Sequence, residues 1–213
     1  MKPENYLDEL IERYSSLRVC KQDILNVYKV LFDCYSNGGK LLIAGNGGSA
    51  SDAEHIVGEL MKGFVKKRTI NENLKKSLIS VNLEMANELI HNLQCALPAI
   101  ALDGHPALST AFMNDQSPLL CFAQQVNGYG TEKDVFLGIS TSGNSKNIMY
   151  AAVTAKAKGM KVIGLTGAND SELSKIAYAC IKAPAIQTFK IQELHLPIYH
   201  CLCLMLEEAF FDM

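Results

Sequence analysis

The chain has 213 residues, 48% of them hydrophobic and 20% charged, enough to bury one sizeable core but too few for a second complete domain. Its 20 Lys and Arg against 22 Asp and Glu leave a formal charge of −2, with basic residues clustered only at Lys66, Lys67 and Arg68, so the balance excludes a general attraction to nucleic acid and favours a small-molecule substrate. No charged-then-apolar leader opens the sequence and no stretch reaches the roughly 18 apolar residues of a membrane span, so a cytoplasmic protein is expected, with seven cysteines as buried free thiols.

From Pro3 to Tyr35 apolar residues recur at helical spacing, as in Leu7, Leu10, Ile11 and Tyr14 and then Ile24, Val27 and Leu31. The pattern predicts two helices, or one broken near Ser15-Ser16, ended by Asn37-Gly38-Gly39. Short apolar segments then run into Gly- or Ser-rich turns followed by helical patterns: Lys40–Ala44, Ala99–Leu102, Val135–Ser140, Lys161–Thr166 and Ala179–Lys182. Such alternation predicts parallel strands joined by helical crossovers in a three-layer α/β sandwich, with ligands bound beyond the C-terminal ends of the strands. Residues 65–97 interrupt the alternation with a polar, helix-forming stretch. They are read as a helical insertion in a single domain spanning 1–213, after an N-terminal helical segment over 1–37. The run from Gln192 to Phe211 has helical spacing despite Pro197, where a kink is expected.

Chemistry-bearing residues gather at the turns. Gly45-Asn46-Gly47-Gly48-Ser49-Ala50 matches the dinucleotide fingerprint G-x-G-x-x-A only superficially, since no second strand ending in an acidic residue follows about 20 residues on. Its glycines instead let a ligand approach backbone amides at a positive helix end. On the helix it opens, His55 and Glu59 stand four apart on one face, a spacing that suits two ligands of one metal and equally a solvated surface pair. Ser140-Thr141-Ser142-Gly143-Asn144-Ser145 places four hydroxyls within six residues before a helix, more than capping needs, which points to a neutral phosphate cradle. Gln192 and His200 interrupt the apolar last helix, each as a core hydrogen bond or a site residue.

In order and spacing, Gly45-Asn46-Gly47-Gly48-Ser49, the Asp52…His55…Glu59 helix, Asn114-Asp115, Gly138 to Ser145, Leu165-Thr166-Gly167 and Ile191-Gln192-Glu193-x-His195 resemble the phosphoheptose isomerases of the sugar-isomerase (SIS) superfamily. The resemblance covers nearly the whole chain outside 65–97. It implies the SIS fold, with a central five-stranded parallel sheet of flavodoxin-like order, and a homotetramer with sites at subunit interfaces. It implies isomerisation of sedoheptulose 7-phosphate to D-glycero-D-manno-heptose 7-phosphate through an enediol, toward lipopolysaccharide heptose or other envelope glycans. By the same resemblance, zinc is held by His55, Glu59, Gln192 and His200, and Glu59 and His200 form the acid/base pair. Sugar and phosphate are held by Asn46, Gly47, Gly48, Ser49, Glu59, Asn114, Asp115, Ser140, Thr141, Ser142, Ser145 and Gln192.

The chemistry is coherent on its own terms, because an aldose–ketose exchange moves a proton between adjacent carbons and needs a second group to serve the oxygens. A carboxylate such as Glu59 suits the first task and an imidazole such as His200 the second. The chain departs from the family pattern at 65–97, at Gly63, where many members carry an arginine and Lys62 is the nearest cation here, and at Phe189, where some carry an aspartate. These departures bear on substrate and metal. Three rivals are an isomerase of another sugar phosphate, a non-catalytic SIS protein resembling the replication-initiator-associating factors, and a phosphosugar-sensing regulatory domain. The second tends to lack a histidine matching His200, and the third sits beside a DNA-binding module for which no spare length is expected.

Overall fold

The computed structural model describes residues 2–211. Helix α1 (Pro3–Arg13) and helix α2 (Lys21–Ser36) are separated by a 3-10 turn over Ser15–Cys20, which is the break expected at the paired serines. Of the residues that gave the helical period, Leu7, Leu10, Ile11, Ile24, Val27 and Leu31 are buried and Tyr14 is half-buried.

Five strands follow, β1 (Leu41–Ala44), β2 (Ala99–Ala101), β3 (Val135–Ile139), β4 (Lys161–Thr166) and β5 (Ala179–Lys182). They pair in parallel in the order β2-β1-β3-β4-β5. Every residue of β1 and β3 is buried, because a parallel sheet is covered by helices on both faces and its strands read as continuous apolar runs. Alternate side chains serve opposite layers: Leu41 and Ile43 join the core formed with α1, α2, α3 (Gly48–Met61) and α10 (Thr188–Phe210). Leu42 and Ala44 face the core under α7 (Cys121–Tyr129), α8 (Lys146–Ala157) and α9 (Glu172–Ile176). The three-layer α/β sandwich expected from the sequence is the fold observed. The remaining helix, α6 (Pro106–Asp115), packs on the 3-10 turn Pro118–Leu120 and on α7 and buries none of its own residues. Helix α10 continues through Pro197, and no helix among the described residues is long and apolar enough to cross a membrane.

Residues 65–97 hold α4 (Glu72–Val81) and α5 (Leu83–Asn92), capped by Asn71 and Asn82 side chains that accept from the Leu74 and Met85 amides. The two helices pack on each other, with only Ala86 buried, and leave Ile79, Val81, Leu83 and Met85 exposed. The root of this hairpin is fastened to the core by an ion pair with no solvent exposure, Arg68 Nε to Glu207 Oε1 at 2.8 Å. Glu207 also accepts the amides of Phe64, Val65 and Lys66, and Arg68 donates to the carbonyls of Glu59 and Leu60 in the last turn of α3. The basic cluster noted in the sequence is thus partly structural. Arg68 is spent inside the fold, and Lys66 pairs with Glu208.

Candidate active site at the strand ends

The turns after the adjacent strands β1 and β3 meet beyond the sheet. Gly47 sits at φ +57°, a conformation that favours glycine, and α3 begins at the next residue. Asn46 and Asn147 exchange two amide hydrogen bonds, of 3.0 and 2.8 Å, tying the first turn to the start of α8. A Cβ at Gly48 would lie 2.6 Å from Gln192 Nε2, so Gln192 lies against the N-terminus of α3. Ser49 is buried behind it.

In the second turn Gly143 also takes a positive φ, +64°, and an added Cβ would collide with Ser171. The Ser140 hydroxyl accepts the Gly143 amide and lies 3.1 Å from that of Ser145, so it braces the loop from inside. Among the described residues the backbone N–H groups of Thr141, Ser142 and Ser145 have no hydrogen-bond partner. Free amides and hydroxyls at the N-terminus of α8 make a receptor for an anion without needing a lysine. A cavity of about 280 Å³, lined by Thr141, Ser142, Asn144, Asn169 and Thr188, opens beside them.

Two turns along α3, side chains from α3 and α10 form a polar cluster. His55 Nε2 lies 3.2 Å from Glu59 Oε1 and 3.4 Å from His200 Nε2. The other oxygen of Glu59 is 3.4 Å from Lys62 Nζ. Glu59 is mostly buried and His55 is open to solvent. Burial, reinforced by His55, holds the His200 imidazole below its ordinary pKa, so it is neutral and able to accept a proton. Behind His55, the Tyr199 hydroxyl is 3.0 Å from Nδ1 and 3.2 Å from Asp52 Oδ1. Burial raises the pKa of Asp52, and burial together with Asp52 raises that of Tyr199, which stays a phenol.

Among the described residues no three His, Cys, Asp or Glu side chains form a ready-made metal cage. Two of the pairwise separations nevertheless suit one, because two ligands each about 2.0–2.1 Å from a tetrahedral zinc lie about 3.4 Å apart. The His55–Glu59 and His55–His200 edges have that length.

The sequence-predicted residues thus fall into groups. Asn46, Gly47, Gly48, Ser49 and Gln192 surround the start of α3. Ser140, Thr141, Ser142 and Ser145 form the second turn, and His55, Glu59 and His200 form the cluster. Asn114 and Asp115 stand exposed at the end of α6, paired with each other at 2.9 Å. Asp52, named in the sequence only as part of the α3 motif, gains a contact with Tyr199, whereas Tyr199 and Asn147 were missed and carried no signal beyond their neighbours.

The SIS domain family model matches residues 5–89 and 83–167. The phosphoheptose isomerase of Aneurinibacillus thermoaerophilus is 38% identical over 179 residues, spanning 84% of this chain and 77% of that protein. The phosphoheptose isomerase of Nitratiruptor sp. is 35% identical over 211 residues, spanning 97% and 99%. This chain belongs to the phosphoheptose isomerase family. A solved phosphoheptose isomerase structure from Francisella tularensis superimposes with a TM-score of 0.73 at 31% identity, covering 96% of this chain and 95% of that one. As expected of the phosphoheptose isomerase family, the sheet is five-stranded and all parallel, with the two Ser/Gly turns on adjacent strands.

Proposed function

We propose that this chain interconverts sedoheptulose 7-phosphate and D-glycero-D-manno-heptose 7-phosphate. The observation that carries the reading is the convergence of Glu59 and His200 on His55, about two helical turns along α3 from the glycine turn, which stands on the strand beside the one that bears the anion-binding turn. The amides and hydroxyls of Thr141, Ser142 and Ser145 take the phosphate. The turn Asn46, Gly47, Gly48 and Ser49, together with Gln192, takes the sugar, with Asn114 and Asp115 as further contacts. Glu59, mostly shielded from water, moves the carbon-bound proton between the adjacent carbons, and the neutral His200 moves protons on their oxygens.

Zinc at His55, Glu59 and His200, with Gln192 as a fourth ligand, would polarise the sugar carbonyl. The His55–Glu59 and His55–His200 separations and the donor types support that metal. Seven unpaired cysteines among the described residues support a reducing, cytoplasmic setting. The exposed apolar side chains of α4 and α5 support a homo-oligomer, a tetramer by family resemblance, in which residues 65–97 act as an insertion contributing a subunit contact.

The test is incubation with sedoheptulose 7-phosphate, following aldose formation with and without a chelator. Turnover that a chelator abolishes and zinc restores is the expected result. Binding of sugar phosphates without turnover of any would refute the proposal and favour a non-catalytic phosphosugar-binding protein.

A further inference from the structure

Each carbonyl from Ser140 to Gly143, around the anion turn, is occupied from inside the fold. That of Ser140 accepts the Gly143 amide at 2.9 Å, that of Thr141 the Gly167 amide beyond β4 at 3.0 Å, and that of Gly143 the Leu173 amide of α9 at 3.0 Å. The Ser142 carbonyl differs, because its donor is a side chain, Asn144 Nδ2 at 3.0 Å. The other end of that side chain is held too, since Asn144 Oδ1 accepts the backbone N–H of Glu172, the first residue of α9, at 3.0 Å. Helix α9 is itself fixed. Ser171 and Ser174 cap it reciprocally, and Ser171 lies so close to Gly143 that a Cβ on the glycine would be 2.1 Å from the Ser171 hydroxyl. An anion receptor needs N–H groups facing outward and carbonyls turned away, because a carbonyl oxygen carries the partial negative charge that repels phosphate.

We propose that Asn144 is a positioning residue for phosphate binding, which turns the Ser142 carbonyl away from the anion and uses the first amide of α9 as its anchor. The residue grips Ser142 twice. Besides the side-chain bond to the carbonyl, the Asn144 backbone N–H donates to Ser142 Oγ at 3.2 Å, so that hydroxyl accepts on its inner side and has its own proton left to give outward. The task suits an asparagine, whose amide is both donor and acceptor, whereas an ionised aspartate could serve the Glu172 amide but not the Ser142 carbonyl. Helix α9, which contributes only Leu173 to the core, thereby acts as the fixed point against which the receptor is shaped. The inference rests on the reading of this turn as the phosphate receptor and is independent of the reaction assigned to the site.

The experiment measures the Kd of inorganic phosphate by ³¹P line broadening, which needs no turnover. Asn144→Ala should weaken binding about 3- to 10-fold, the range of one lost hydrogen bond. Glu172→Pro removes only the anchoring N–H, since proline suits the first position of a helix and Ser171 before it is already extended at φ −147° and ψ 165°. Its reference is Glu172→Ala, which loses the same side chain and its 2.6 Å pair with Lys175 but keeps the amide. Relative to that reference, Glu172→Pro should weaken phosphate binding by a similar factor, and the double variant Asn144→Ala with Glu172→Pro should bind no worse than Asn144→Ala alone. With sedoheptulose 7-phosphate, KM should rise by the same factor while kcat holds. In ¹⁵N-labelled unmodified protein, added phosphate should move the amide signals of Thr141, Ser142 and Ser145 more than the side-chain NH₂ of Asn144, a readout that serves if Glu172→Pro fails to fold. Unchanged phosphate affinity in both variants, a loss confined to Asn144→Ala, additive losses, or a dominant shift of the Asn144 NH₂ overturns the inference, the last because Asn144 would then touch the anion itself. No phosphate binding by the unmodified protein overturns it as well. The stated losses in a protein that turns over no sugar phosphate uphold it and refute the proposed isomerisation instead.

Discussion

His195 offers a test of the packing between α10 and the sheet that does not involve catalysis. It has no solvent exposure, donates from Nε2 to the Thr166 carbonyl at 3.2 Å, and keeps Nδ1 buried without a partner among the described residues. Burial pushes its pKa down to about 4, against 6.5 for the free side chain. The folded protein therefore holds His195 neutral where the unfolded chain already takes up a proton. Its contribution to stability is complete above about pH 6.5, declines as the pH falls, and is exhausted near pH 4. At about 1.36 kcal/mol per pH unit, the gap amounts to roughly 3 kcal/mol in all, of which roughly 2 kcal/mol is lost by about pH 5. Urea unfolding at pH 7.5 and about pH 5, at one protein concentration, would measure it in the unmodified protein and in His195→Gln. The amide of Gln can still reach the Thr166 carbonyl but does not titrate, so the variant should lose roughly 2 kcal/mol less on acidification, with carboxylate effects common to both proteins. Equal losses would show that His195 is hydrated or already protonated in the native state, and the reasoning would fail.

Replacing His200 with Asn should lower kcat by about 10²–10⁴ while sugar phosphate binding and elution volume stay unchanged, as read by steady-state kinetics, calorimetry and gel filtration. Ser142→Ala removes a hydroxyl from the phosphate turn and should raise KM about tenfold or more with a smaller effect on kcat, at roughly 1.5–3 kcal/mol per charge-assisted hydrogen bond. Glu207→Ala strands Arg68 in the core together with three loop amides and should cost about 3–5 kcal/mol in chemical denaturation.

Much of the layered fold is legible in the sequence because parallel strands covered on both faces leave unbroken apolar runs. Leu41 to Ala44 and Val135 to Ile139 each end at a turn dense in glycine and serine. The half-sites on single helices are legible for a similar reason. His55 and Glu59 share a face by their spacing, and Gln192 and His200 stand out against an apolar helix. What joins them is not. The contact between His55 and His200 spans 145 residues, and that between Asp52 and Tyr199 spans 147, so both depend on how α10 docks on α3. Tyr199 looks like any core aromatic until its hydroxyl is found facing two acceptors. Asn147 looks like an ordinary first-turn residue until its amide meets that of Asn46.

The carboxylate of Glu207 has a bearing on how the molecule is made. Its partners at Phe64, Val65, Lys66 and Arg68 precede it by 139 to 143 residues, and it lies four residues from the end of α10 counted inclusively. A ribosome works from the N-terminus, so all five strands leave the exit tunnel before this anchor does. Until then Arg68 has no counter-charge to accompany it into the interior, and the last turn of α3, whose carbonyls it caps, stays unfastened. Glu59 sits in that turn. The placement of the proposed proton carrier is thus completed only once α10 has been made nearly to its end, and a chain ending before Glu207 would carry all five strand segments and both ligand turns without a settled Glu59.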